Sequence, residues 1–121
     1  MKARRIARQL LTAQLALLLL RSGSWQGKRV IPSAWVQAML SCQVVLGYDY
    51  GYGYQVWMLP LRPRPAVNGY EIKIAWGYGG QFIFVIPGLD MVVVATAGNF
   101  MDDGGAIDFI QEMLAAAVQG P

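Results

Sequence analysis

The sequence predicts an α+β fold: an antiparallel meander of three to four strands with flanking amino-terminal and carboxy-terminal helices. Three observations carry this. Leu10 to Leu20 is a leucine-rich run with helical spacings. Tyr70 to Ala97 holds three apolar, β-branched segments separated by tight turns. Ala106 to Val118 places Ile107, Ile110, Met113 or Leu114, and Val118 on one helical stripe.

The 121 residues suit one domain, 1–121, with 1–11 as a basic lead segment. Hydrophobic residues are 55% and charged residues 14%, which excludes general disorder because there is ample surface to bury. The absence of histidine excludes a Ser-His-Asp triad, a Cys-His pair and a His-ligated zinc site. Cys42 is the single cysteine, so an internal disulfide and a thiolate cluster are excluded as well. No cofactor and no metal are expected. The net charge is +3, with Lys2, Arg4, Arg5 and Arg8 at the start and Asp102, Asp103, Asp108 and Glu112 near the end. Four cations in one short segment, without a basic stripe elsewhere, read as a solvated helix face. No nucleic-acid partner is expected.

The basic start followed by Leu10–Leu20 has the outline of a secretory signal. Thr12 and Gln14 interrupt that run, and Arg21-Ser22-Gly23-Ser24 offers no small-residue cleavage site. The stretch is also shorter than the roughly twenty residues a bilayer requires. A core helix is the expectation, with Ile6, Leu10, Leu11, Leu15, Leu18 and Leu19 on its apolar spacings. The chain reads as cytoplasmic and not membrane-bound. Export through residues 1–22 is the alternative.

Taken in order, Thr12 caps a helix that runs to about Arg21 and stops at Gly23. Ser24–Arg29 is a turn, and Pro32 opens a short helix over Ser33–Leu40. Gly47–Tyr54 reads as one strand with Tyr48, Tyr50, Tyr52 and Tyr54 on a single face. That stripe is one face of a strand, or a surface for stacking on a sugar or peptide. Leu59–Asn68 contains three prolines and reads as a loop. Tyr70–Trp76, Phe82–Ile86 and Met91–Ala97 are strands. Gly77–Gly80 and Pro87–Asp90 are the turns between them. Cys42 reads as a small buried hydrophobe.

The run Ile74–Asn99, IAWGYGGQFIFVIPGLDMVVVATAGN, resembles the carboxy-terminal sheet of the serine β-lactamase and penicillin-binding-protein-like hydrolases, in their esterase and amide-hydrolase branch. Those proteins carry a small-x-Gly-aromatic-Gly-Gly-Gln segment, an aromatic strand, a Pro-x-x-Asp turn and a Val-rich strand ending near Asn. Leu11–Val36 is similar to the family's helix, Gly-x-Trp-x-Gly-Lys-Arg turn and Ile-Pro-x-x-Trp-Val segment. Gly51–Leu59 resembles the strand that precedes the catalytic sheet. The resemblance covers about Leu11 to Val118 in the family's own order.

The resemblance also shows what the chain lacks. The family's nucleophile lies in Ser-x-x-Lys, and none of Ser22, Ser24, Ser33 and Ser41 has lysine three residues on. No tyrosine begins a Tyr-x-Asn or Tyr-x-Ser box. The third box, Lys-Thr-Gly or His-x-Gly in many members, corresponds to Ala75-Trp76-Gly77 or one residue earlier. The resemblance implies that Gly77 or Tyr78 supplies an oxyanion-binding N–H. Trp76 is then the wall of an acyl pocket, or else a core residue. Gly77, Gly79 and Gly80 serve the oxyanion strand, or else form a plain hairpin turn. Gln81 supports that turn.

Two functions follow as expectations. One is a truncated β-lactamase-related serine hydrolase, inactive alone. The other is a small non-catalytic α+β protein that dimerises, or binds an apolar ligand, through its sheet. The expected partner is a second copy, or a missing amino-terminal part of the parent hydrolase. A homodimer would bury the Leu15–Leu20 face or the Met91–Ala97 edge.

Overall fold

In the computed structural model, residues 2–47, 50–60, 70–98, 100 and 104–119 are described. The first helix, α1, is Lys2–Leu20, so the basic lead segment is helical too. Thr12 is inside the helix and not its cap: its hydroxyl donates to the Arg8 carbonyl at 2.8 Å. The carboxy-terminal end closes with Gly23 N–H on Leu18 O at 2.8 Å and Ser22 N–H on Leu19 O at 3.0 Å. Ser22 and Gly23 both take positive φ there, 53° and 86°. Glycine is required at the second of these, because a Cβ would lie 2.2 Å from the Ile31 carbonyl oxygen.

Ser24–Arg29, expected as a turn, is a minimal hairpin of β1 (Ser24–Trp25) and β2 (Lys28–Arg29). Pro32 precedes α2, Ser33–Met39, which buries Val36. The main sheet is antiparallel, as expected, but among the described residues it contains six strands and not three or four. They are β3 (Val44–Gly47), β4 (Tyr50–Tyr52), β5 (Trp57–Pro60), β6 (Glu71–Gly77), β7 (Gln81–Ile86) and β8 (Met91–Thr96), paired in chain order. The additional strands lie around the Gly-Tyr repeat: β3 leads into it, β4 is within it and β5 follows it. The expected single strand Gly47–Tyr54 is folded back on itself, with Val44 opposite Tyr52 and Gly47 opposite Tyr50. Four tyrosines therefore do not line one strand. Tyr50 and Tyr52 are in β4, Tyr54 stacks on Trp35 with centroids 5.6 Å apart, and Tyr48 lies outside the described residues. Of the expected loop Leu59–Asn68, Leu59 and Pro60 belong to β5, and 61–69 lie outside the described residues.

Strand alternation assigns the two faces. Phe82, Phe84 and Ile86 join Leu59, Ile72 and Ile74 on one face, under Ile110 and Leu114 of α3, Gly104–Gln119. Ile83 and Val85 point the other way, toward Ala16 and Leu19 of α1 and Val36 of α2. The terminal helices thus lie on opposite faces of the sheet. The continuous apolar run of β7 has both faces to cover, so each helix takes one. On α3, Ile110 and Leu114 are buried members of the expected stripe, while Met113 is exposed.

On α1 the buried side differs from the expected stripe. Ala16 and Leu19 are buried, whereas Ile6, Leu10, Leu11 and Leu15 are 57%, 60%, 65% and 48% exposed. The small side chain of Ala16 lets the helix approach the sheet closely, and the bulkier leucines then face away. Two polar contacts pin this arrangement. Gln9 Nε2 donates to Thr96 Oγ1 at 2.8 Å. The Arg21 guanidinium grips Asp90 at 2.9 and 3.3 Å. Both ends of that ion pair are well exposed, so it contributes at most about 1 kcal/mol. Among the described residues, no helix is long and apolar enough to cross a membrane. Cys42 is exposed and not buried, and its thiol donates to the Val44 carbonyl at 3.3 Å.

Candidate functional site

The turn between β6 and β7 is Tyr78-Gly79-Gly80, closed by the pair Gly77 and Gln81. Gly79 and Gly80 both take φ of 82°, which L side chains rarely adopt. Their surroundings differ. A Cβ at Gly79 would lie 2.6 Å from the exposed Phe100 ring, which can swing away; one at Gly80 would lie 2.9 Å from the Ala97 Cβ, which is fixed to the backbone. Gly80→Ala is therefore expected to lower the melting temperature more than Gly79→Ala, which carries mainly the cost of φ, about 1 kcal/mol. Equal shifts in a thermal melt would show that contact with Ala97 is not what restricts position 80.

Tyr78 packs against Phe100, with ring centroids 5.4 Å apart and the planes tilted by 47°. The Gln81 carboxamide donates to the Ala97 carbonyl. Ala97 N–H bonds Gly80 O at 2.9 Å, so the ladder of β7 and β8 continues past Thr96. Gln81 supports the turn, as the sequence suggests. Trp76 pairs with Phe82 across the ladder, and its ring belongs to an aromatic row on the α3 face. The Trp76 ring lies 6.1 Å from Trp57 and 5.6 Å from Phe82.

The other side of β6 is open at its end. Pairing of β5 with β6 ends at Trp57 opposite Ile74, while β6 continues to Gly77. Among the described residues, Ala75, Trp76 and Gly77 are thus laddered only to β7. Successive residues of a strand point their N–H and C=O to alternate sides, so at least one of the three presents both groups to the open edge. Gln55 causes the break. Extending the register backwards from Trp57 would set Gln55 opposite Trp76, but Gln55 has φ of 64° and turns the chain away.

A cleft of about 380 Å³ lies along this edge. Its polar lining is Thr12, Gln55, Gln81 and Thr96, and Ala75, Trp76 and Gly77 border it. None of the described lining residues is ionisable. Three of the four polar side chains already bond within the protein: Thr12 to Arg8, Thr96 to Gln9 and Gln81 to Ala97. No serine lines the cleft, and Ser41 is turned onto the Gln37 carbonyl at 2.6 Å. The arrangement can hold a neutral polar group against a strand edge, and the hydroxyls among its described lining residues, Thr12 and Thr96, are both engaged within the protein. Among the described residues, no three acidic or thiol groups converge as a metal site.

Of the residues singled out from the sequence, Trp76, Gly77 and Gln81 border the cleft, while Tyr78, Gly79 and Gly80 form the turn beside it. Thr12, Gln55 and Thr96 were not legible as site residues. Thr12 reads as a cap, and Gln55 shows only as the break in the Gly-Tyr alternation. No protein-family model matches the chain, and no curated protein sequence matches it.

Proposed function

We propose that the chain is the sheet-bearing portion of a serine hydrolase of the β-lactamase-like group, in its esterase and amide-hydrolase branch. In this proposal it supplies the strand that binds the oxyanion and leaves the nucleophile to another segment. The observation that carries the proposal is the open edge of β6 at Ala75–Gly77 beside the cleft. The same residues are the ones the sequence resemblance assigns to the oxyanion strand. A backbone N–H at Gly77 or Tyr78 would stabilise the tetrahedral oxyanion. Removing one such donor from a complete site costs about 3–4 kcal/mol. The outward leucines of α1 would be covered by the segment that brings the nucleophile.

The isolated chain is expected to hydrolyse p-nitrophenyl esters and nitrocefin no faster than buffer, and no serine should take a fluorophosphonate label. Labelling would overturn the division of roles. The family assignment is tested by the DNA upstream of Met1. An in-frame Ser-x-x-Lys supports it, and an upstream stop codon without that motif overturns it.

Exposed apolar residues favour a second reading, a non-catalytic protein that associates with copies of itself. Besides the α1 leucines, the edge strand β3 exposes Val44, Val45 and Leu46. Such an edge is an invitation to pairing.

A further inference from the structure

We infer that Gln55 is the residue that reads the ligand in this cleft. Its carboxamide would bond the amide group of a neutral, extended acyl compound lying along Ala75–Gly77. The acyl nature of the ligand rests on the proposed hydrolase function; the role of Gln55 rests on three features of the fold.

The first is position. Gln55 stands across the open edge at the point where β5 would have continued. The second is conformation. A φ of 64° is unfavourable for a residue with a Cβ, and glycine would adopt it at lower cost. Ser22, Gln26 and Asp90 take similar φ, but of these four only Gln55 borders the cleft. The third is availability. Thr12, Gln81 and Thr96 are engaged within the protein, whereas among the described residues Gln55 has no hydrogen-bond partner. It is exposed and free to turn toward a guest.

A carboxamide carries two N–H donors and an acceptor oxygen. It therefore matches a secondary amide, which also has a donor and an acceptor. An ester offers acceptors alone, and a carboxylate finds no cation among the described lining residues. The predicted order of affinity is amide, then ester, then carboxylate.

Amide resonances of residues 75–77 can be followed by NMR while N-acetylalanine methylamide, N-acetylalanine methyl ester or N-acetylalanine is added. The proteins are the unaltered chain, Gln55→Gly and Gln55→Asn. Glycine keeps the backbone conformation without the carboxamide; asparagine tolerates the same conformation and keeps the group on a shorter stem. Dispersed spectra establish that each variant is folded. In the unaltered chain the methylamide should move 75–77 at the lowest concentration. Gln55→Gly should need about tenfold more, for the lost hydrogen bonds, and Gln55→Asn should recover part of the difference. If Gln55→Gly titrates like the unaltered chain, the assignment to Gln55 is overturned while the cleft remains an acyl site. If 75–77 stay unmoved by all three compounds in every protein, the acyl site itself is overturned.

Discussion

Replacing Leu10 and Leu11 of α1 with glutamate is expected to convert a self-associating chain into a monomer. Both side chains are more than half exposed, so the substitution removes no core contact. Ile6 and Leu15 are exposed as well, so α1 carries apolar surface of the kind that marks an interaction site. Sedimentation equilibrium at micromolar concentration should give at least twice the monomer mass for the unaltered chain. The Leu10→Glu, Leu11→Glu variant should give the monomer mass, with its melting temperature preserved. If the variant still associates, the edge strand β3 becomes the contact, and Val45→Lys should then abolish it. If the unaltered chain is already a monomer at high concentration, both surfaces are inert. That result would remove the support for the self-associating alternative.

Phe84→Ala should have the largest effect on stability. Phe84 is fully buried at the centre of β7, between Phe82 and Ile86 on the α3 face. Removing a buried phenylalanine costs about 3–5 kcal/mol, of the same order as the whole stability of a small domain. A fall of more than about 10 °C in the melting temperature is expected, or no cooperative transition at all. Phe109→Ala provides the contrast, because that ring is exposed on α3 and its loss should change stability by less than about 0.5 kcal/mol. Similar losses from the two substitutions would mean that α3 is not seated on the sheet through Ile110 and Leu114.

The sequence shows the later part of the fold more clearly than the earlier part, for a physical reason. Phe82–Ile86 and Met91–Thr96 are apolar on both faces, so they identify themselves as central strands without help from distant residues. The Gly-Tyr repeat alternates perfectly and imitates one long strand. Its actual folding depends on contacts the local pattern does not contain. Gly51 lies beneath Cys42, and Gly53 lies against the Met39 carbonyl, so both positions are glycine for space. The orientation of α1 was concealed in the same way. Leucines surround the helix, and Ala16 determines which side meets the sheet only once the sheet is present. For the cleft, the strand residues Trp76, Gly77 and Gln81 stand out because the glycines punctuate them. Thr12 and Thr96 belong to segments far away in sequence. Only the packing of α1 on the sheet brings them together with Gln55.

The chain-order sheet also affects how the protein is made. Each strand of β3–β8 finds its partner in the next segment to leave the ribosome, so the meander can close hairpin by hairpin. The first helix meets Val36 of α2 soon after it is made, but its partners in the sheet come last. Its contacts with the sheet lie far along the chain: Arg21 reaches Asp90 across 69 residues, and Gln9 reaches Thr96 across 87. At about 5–20 residues per second, a nascent α1 stays uncovered for several seconds before β8 exists. During that interval even Leu19, later buried, is available to chaperones and to other nascent chains. A pause in translation after α1 has emerged and before Met91 is made should therefore lower the soluble yield.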